Sequence, residues 1–522
     1  MVMKEMAVNP ALDSKLLERF DREIRSRLPH LEGGTEGSPV VNATPLVDVT
    51  RDLIDFGLVE YGLDLSGWNV RVLGKMESAI LGGSVKVRPA AQMIEDAIAS
   101  GKLRENMTVF EATSGNFGIA LGMMRKLGFD VVVIISRKLK DGVREELKKV
   151  GVRALNLDID ICPAPGTDAV SGRLVARAVA ASVRDQLASE GFDVSPFEET
   201  RGEIEDLLAA GDAINLAKHL ARIYHGFCPG QYDNDLNVAA HEVLTGPEID
   251  QQLKALGGSL SEYEVVCTFG TGGTSAGIGR YVRESFGKKS VHVVFPLPNQ
   301  DVAGIRDRNK TLGLKFYEPG SYAGEHEVDY EAAKPLLEFF AKRGYDIGES
   351  SALALFATLQ LINRDSGGSF VVILADGMQK YREPEVAKEA DKSLEVPAKE
   401  VSSNPEGIGK VLWVHPVFVP SERAIELLTA SLGCSDSKIA VADTEDVVHF
   451  YTRREMTEGI RRFLPNDGRK LLLVCVNGGT SFEMAQSLTR QGVEAFSLSG
   501  GVASLLSTGP EDASSLVQLP GA

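Results

Sequence analysis

Cysteine is scarce: the 522 residues contain five, scattered at Cys162, Cys228, Cys267, Cys434 and Cys475. No Cys-x-x-Cys pair is present to close a zinc site, so no metal centre is expected, and the odd, dispersed pattern fits a reducing, cytoplasmic setting. Nor is there a run of about eighteen apolar residues, the least a membrane helix needs. Met1 to Leu31 mixes Lys4, Glu5, Asp13 and Glu18 with apolar residues at helical spacing, so neither a secretory signal nor a membrane span is expected. Positive charge is in deficit, with 56 Lys plus Arg against 73 Asp plus Glu and a net charge of −17. Nucleic acid and anionic membrane, which need clustered cations, are disfavoured as partners. Hydrophobic residues make up 43% of the chain, enough for a sizeable core, and the length suggests two to four domains at ~100–200 residues each.

Short β-branched runs alternate with helical stretches. Val131 to Ser136, Glu264 to Phe269, Val291 to Phe295 and Phe370 to Ala375 read as strands buried on both faces, which with amphipathic helices between them implies right-handed crossovers and an α/β fold with a mostly parallel sheet. From Asp376 the pattern lapses into Lys, Glu, Pro and Ser, then restarts with strands at Lys410 to His415, Lys438 to Ala442 and Lys470 to Val476. Helices are expected at Ser421 to Leu432 and Ser481 to Gln491. The organisation this predicts is a helical extension over 1–40, a first domain over 41–395, a linker over 396–407 and a second α/β domain over 408–522. A polar helical insertion, read as solvated, occupies about 172–218 of the first domain.

Three segments carry chemistry. In Leu81-Gly-Gly-Ser-Val-Lys86-Val-Arg-Pro89-Ala90 a lysine stands just ahead of a helix whose first turn accepts proline. A cation is disfavoured there, which favours the neutral amine able to form a Schiff base. Glu111-Ala-Thr113-Ser114-Gly-Asn116-Phe117-Gly118 also enters a helix, gathering hydroxyls, an amide and N–H groups that can bind a carboxylate. Gly270-Thr271-Gly272-Gly273-Thr274 follows a strand and opens another helix, an arrangement suited to a phosphate. It has neither the lysine of a P-loop nor the Rossmann spacing.

In order and spacing these segments resemble the fold-type II pyridoxal-phosphate enzymes, the family of cysteine synthase, cystathionine β-synthase and tryptophan synthase β. Thr44-Pro45-Leu46 and the run His241 to Glu248 extend the similarity, which covers about residues 40 to 385. The resemblance implies a tryptophan synthase β-like catalytic domain with pyridoxal 5'-phosphate as cofactor. Lys86 would carry the cofactor, Asn116 would hold its ring hydroxyl, Gly270, Thr271, Gly272, Gly273 and Thr274 would cradle its phosphate, and Ser350, in Gly348-Glu-Ser-Ser-Ala352, would meet its pyridine nitrogen. Thr113, Ser114 and Asn116, assisted by Gln231, would bind the amino-acid carboxylate. Phe117 departs from the family's usual threonine. Arg306, Arg308 and Lys310 lie near the mouth of the family's active site and would suit a phosphoseryl leaving group; a solvated loop is the competing reading.

In the second domain, Cys475-Val-Asn-Gly478-Gly-Thr480-Ser481 follows an apolar strand and leads into a helix, a setting that makes a thiol nucleophilic. With Phe496 to Val502 it resembles a rhodanese-like domain, although Thr480 replaces the loop's common arginine. The expected function is β-replacement on serine, O-phosphoserine or O-acetylserine through an aminoacrylate, adding sulfur to make cysteine, with Cys475 handling sulfur. Two alternatives stand beside it: a serine/threonine dehydratase or cysteine desulfhydrase-type lyase, and a synthase whose C-terminal domain is a non-catalytic binding module. The expected partners are a small amino-acid substrate, a sulfur donor and, from the family, a second copy in a homodimer.

Overall fold

The computed structural model describes residues 10–34, 37–65, 67–135, 141–157, 168–298, 300–381, 394–415, 419–453, 456–476, 478–506 and 516–518. The chain divides into two units. The first takes Met1–Val133, Leu139–Arg153 and Leu220–Arg382, and the second takes Ile134–Lys138, Ala154–His219 and Glu383–Ala522.

Up to residue 374 the main strands are β1 (Leu46–Asp48), β2 (Val70–Met76), β3 (Thr108–Thr113), β4 (Asp130–Ile135), β5 (Arg153–Asn156), β6 (Glu264–Thr268), β7 (Val291–Pro296), β8 (Gly324–Val328) and β9 (Gly368–Leu374). Six of them form one sheet in the order β8-β7-β6-β9-β2-β1, and β3-β4-β5 form another. In the six-stranded sheet only β1 runs antiparallel to its neighbour; β9 lies along β2 with Gly368 opposite Val70 and Leu374 opposite Met76. Successive side chains alternate between faces. Val266, Val294 and Val372 enter one core with helix Glu349–Asp365, while Val265, Val293 and Val371 enter the other with helix Gly273–Phe286. Both faces are covered, so the strands read as continuous apolar runs, and each fully buried Val or Leu contributes roughly 1.5–3 kcal/mol. The four strands expected here each lie within two residues of the observed ones; Ser136 falls outside the described residues.

The second unit holds β10 (Glu395–Val396), β11 (Ile408–Trp413), β12 (Ile439–Val441), β13 (Lys470–Val474) and β14 (Ala495–Leu498), parallel throughout in the order β10-β14-β13-β11-β12. From β11 the chain steps to one side and from β13 to the other, so the carboxyl ends of these two neighbours form the topological switch point where α/β sheets bind ligands. Trp413, Leu472 and Val474 face one core, and Leu412, Leu471 and Leu473 the other.

Two expectations about organisation differ from this arrangement. Residues 396–407 are not a linker: Val396 pairs with Leu498, helix Ala398–Ser403 follows, and Val401 is buried in the second unit's core. A few apolar side chains set into a polar stretch are enough to draw it into the sheet. The insertion is likewise more than a solvated appendage. Its helix Asp168–Ser189 packs with helix Arg201–Ala209 and lies against helix Thr444–Arg453 of the same unit. Arg184 and Arg201 pair with Glu198 on the polar side, while Val179, Val183, Leu187, Phe197 and Ile204 are buried on the other. In the N-terminal extension, helix Pro10–Glu23 buries Leu16 and Phe20; residues 1–9 lie outside the described residues.

Candidate active site

Lys86 is the residue before helix α1 (Val87–Ala99). The start of α1 is fixed by a buried charge network. Arg88 donates to both oxygens of Glu77 at 2.7 and 2.8 Å and to Glu248 Oε2 at 2.7 Å. Lys75 donates to Glu248 and, at 2.9 Å, to the Thr44 carbonyl. Burial opposes the Arg88 charge, but Glu77 and Glu248 outweigh it and hold the guanidinium firmly ionised. Thr44 and Glu248, at the ends of two family-like motifs, thus share the support beneath the lysine. Lys86 Nζ reaches Thr271 Oγ1 at 3.3 Å. Burial, and secondly the positive charge of Arg306, bring its pKa down to about 8.

Facing the lysine is the loop after β6. Gly272, with φ +90° in the left-handed region that suits glycine, caps helix α2 (Gly273–Phe286), and Ser275 Oγ donates to its carbonyl at 3.1 Å. Asn237 Nδ2 donates to Thr271 Oγ1 at 3.0 Å and to the Gln231 carbonyl at 2.6 Å. His241, in a single π-helical turn over His241–Thr245, contacts Thr274 Oγ1 at 3.2 Å and Thr245 Oγ1 at 3.0 Å. Burial, with Arg88 and Lys86 adding to it, depresses the His241 pKa well below the usual range, so the ring is a neutral prop for the loop.

The structure brings most of the sequence-predicted residues to one cavity: Lys86, Ser114, Asn116, Gly270 through Thr274 and Ser350 all line it. Thr113 and Gln231 do not. Thr113 Oγ1 accepts the Gly115 N–H at 3.1 Å, and Gln231 Nε2 donates to the Ala112 carbonyl at 2.8 Å, so both brace the loop behind the cavity wall. Glu111 joins them by accepting the Gly230 and Ala112 N–H groups at 2.8 and 3.1 Å; burial pushes its carboxyl up to about 8 against these bonds. The expected basic cluster also separates. Arg308 pairs with Glu325 at 3.0 Å and Lys310 with Asp307 at 2.6 Å, both exposed. Arg306 stacks over the Tyr232 ring at 5.1 Å and, among the described residues, has no carboxylate within ion-pair distance.

Three residues at the site were not singled out from sequence. Asp376 follows β9 and lines the cavity; its Oδ2 accepts from Tyr381 at 2.6 Å and from Asn116 at 2.8 Å, and lies 3.3 Å from Lys380 Nζ. A polar residue just past the carboxyl end of a buried parallel strand is a signal that could have found it. No comparable signal marks Asn237 or Tyr381.

Cys475 follows β13 at the second unit's switch point. The thiol is fully buried, and its sulfur accepts the Ser481 N–H at 3.4 Å; Ser481 Oγ lies 3.4 Å from that sulfur and 2.8 Å from Ser497 Oγ. Asn477 lies outside the described residues.

A family model described as pyridoxal-phosphate dependent enzyme matches residues 58–377. Cysteine synthase B of Pseudomonas aeruginosa is 28% identical over 312 residues, covering 59% of this chain and 87% of that protein. A cysteine synthase of Aquifex aeolicus is 29% identical over 361 residues, covering 66% and 89%. The crystal structure of an O-acetylserine dependent cystathionine beta-synthase from Helicobacter pylori is 23% identical, covers 65% of this chain and 94% of its own, and has a TM-score of 0.48.

Proposed function

The chain belongs to the pyridoxal-phosphate dependent enzymes, and on that premise we propose that it catalyses β-replacement on serine or an activated serine, adding sulfur to make cysteine. The observation that carries this reading is Lys86, an amine brought down to about 8 and set 3.3 Å from a threonine of the glycine loop. The residues fit the cofactor. Asn116 Oδ1 and Asp376 Oδ1 are buried without hydrogen-bond partners among the described residues, and the N-terminus of α2 offers N–H groups to an anionic phosphate. When bound, pyridoxal phosphate supplies the electron sink for removing an α-proton and a β-substituent.

The rest is done by the chain. Lys86 Nζ would hold the cofactor and, as a free base, would take the substrate α-proton and return it. Gly270 to Thr274 would hold the phosphate, propped by Asn237 and His241. Ser114, exposed on the cavity wall, and the amide of Asn116 receive the substrate carboxylate, with Thr113 and Gln231 fixing their loop. Arg306, next to the cavity-lining Ile305 and close enough to act on the Lys86 charge, would pair with the phosphate dianion of O-phosphoserine and not with the neutral ester of O-acetylserine. Incubation of the purified protein with serine, O-acetylserine and O-phosphoserine, each with and without sulfide, tests the reading. Sulfide-dependent cysteine is expected, whereas pyruvate formed at a rate indifferent to sulfide would make the enzyme a lyase.

For the second unit we propose a rhodanese-like sulfur-handling role at Cys475, supported by its place at a switch point and by the Ser481 N–H directed at its sulfur. The complete burial of the thiol favours a second reading, a binding module in which Cys475 is structural.

A further inference from the structure

We propose that Tyr232 is a specificity-determining positioning residue: its ring holds the Arg306 guanidinium beside the cavity, with no carboxylate to neutralise it, ready for the phosphate dianion of O-phosphoserine. The proposal rests on the reading of Arg306 as the group that meets an anionic leaving group. Four cations of the same loop are held in different ways. Lys310 is taken up by Asp307 at 2.6 Å and Arg308 by Glu325 at 3.0 Å. Lys315 donates to the Asp233 carbonyl at 2.9 Å and to Asp235 Oδ2 at 2.8 Å. Arg306 alone of the four has, among the described residues, an aromatic ring and no carboxylate as its partner. Its guanidinium carbon lies 5.1 Å from the centre of the Tyr232 ring.

The kind of partner decides what the arginine can still do. A carboxylate neutralises a guanidinium and takes up its N–H donors, whereas the face of a ring attracts the charge through its quadrupole and leaves the in-plane donors to a ligand. Those donors form a planar fork that matches phosphate geometry. A long side chain ordered in advance gives up little rotamer freedom when the ligand arrives. The charge is felt in the cavity: after burial, Arg306 is the second cause of the lowered Lys86 pKa. Its chain neighbours Ala303, Gly304 and Ile305 line the cavity wall.

Both halves of the pair are braced on the glycine loop. The Arg306 N–H donates to the carbonyl of Phe269, just before Gly270, at 3.1 Å, and the Ala303 N–H donates to the buried Glu349 at 3.1 Å. Tyr232 follows Gln231, whose carbonyl accepts from Asn237, the same amide that donates to Thr271. Before them Gly230, with φ +69°, gives its N–H to Glu111 at 2.8 Å, and its carbonyl accepts from Asp233 and Asn234 at 3.0 and 2.9 Å. Lys315 then straps the one loop to the other. Ring and guanidinium therefore meet on two fixed supports of a single frame.

The test compares kcat/KM of the holoenzyme on O-phosphoserine and O-acetylserine. Tyr232→Leu should lose about 3- to 30-fold on O-phosphoserine, chiefly through KM, and little on O-acetylserine, the worth of one cation–π contact. Tyr232→Phe keeps the ring face and should keep the preference; its collapse there would assign the effect to the hydroxyl and overturn the proposal. In an Arg306→Ala background Tyr232→Leu should cost nothing further on O-phosphoserine, because the ring acts through the arginine. An undiminished second loss would show that it acts alone. Binding supplies a readout apart from turnover. Calorimetry with the phosphonate analogue of O-phosphoserine, which carries a methylene in place of the bridging oxygen, should show Tyr232→Leu weakened by the same factor, and an unchanged affinity would count against the ring. Equal losses of Arg306→Ala on both substrates would defeat the leaving-group reading itself. A selective loss in Arg306→Ala with none in Tyr232→Leu would defeat only the role of the tyrosine.

Discussion

The loop after β6 and the loop after β13 are built by the same local device. In each a parallel strand ends, a glycine with φ +90° caps a helix, at Gly272 and at Gly478, and a serine three residues on donates its hydroxyl to the glycine carbonyl at 3.1 Å. What lies over the two loops differs. Lys86, Ser114, Asn116 and Asp376 stand around the first and leave a cavity. Over the second, Val502 and Ala503 donate to the carbonyls of Cys475 and Val476 at 3.0 and 2.8 Å, and Cys475, Thr480, Ser481 and Ser497 are all sealed at 0% exposure. A strand–glycine–helix turn therefore does not make a ligand site by itself; the side chains brought to its mouth decide.

Removing the first loop's distinctive group should have the largest effect. Lys86→Ala is expected to lose the borohydride-reducible adduct and about 10³-fold or more of turnover while still binding free cofactor; an adduct at full yield would show that another amine serves. The supports beneath the loops come next. Arg88→Ala leaves two buried carboxylates short of a partner and should cost about 3–5 kcal/mol in denaturant unfolding, against about 1 kcal/mol for Ser481→Ala, which removes only neutral hydrogen bonds. Equal losses would erase this contrast between the loops.

Arg306→Ala should cost about 2–4 kcal/mol in kcat/KM with O-phosphoserine and little with O-acetylserine; a common loss on both would reject recognition of the leaving group. Because the Lys86 pKa is lowered, its reactive free base gains with rising pH. The rate of cofactor capture should climb about tenfold per pH unit below about 8 and level off above it. A rate still climbing well above that pH would contradict the burial of this amine. The smallest effect is expected for Cys475→Ser, which should leave turnover with free sulfide unchanged. Loss of persulfide-dependent synthesis alone would give the sealed loop a chemical role, and full activity with both donors would make it structural.

Much of the fold was legible in the sequence, although the sealing of the second loop was not. Strands buried on both faces announce themselves as apolar runs, and Lys86, Asn116 and Gly270 to Thr274 were found because each combines an unusual residue type with an expected helix start. Asp376 was passed over although it directly follows a buried strand; its partners Asn116 and Tyr381 are brought to it only by folding. Ser350 was assigned to the ring nitrogen on resemblance, and it stands on the cavity wall. Gln231 and Thr113 were read as carboxylate ligands, yet both turn to the backbone behind the wall, because which way an amide or hydroxyl points is a tertiary matter. Residues 396–407 misled because polar composition hid Val396 and Val401, and the insertion misled because its charges drew attention from a buried face.

That insertion also bears on the order of events at the ribosome. Helix Asp168–Ser189 lies against Thr444–Arg453, a helix translated far later. At ~5–20 residues per second the wait is on the order of tens of seconds. Throughout it the side of Asp168–Ser189 that meets Thr444–Arg453 in the finished protein stands without that cover. A nascent chain halted after residue 394 should therefore engage holding chaperones through this helix and release them only as the last strands emerge.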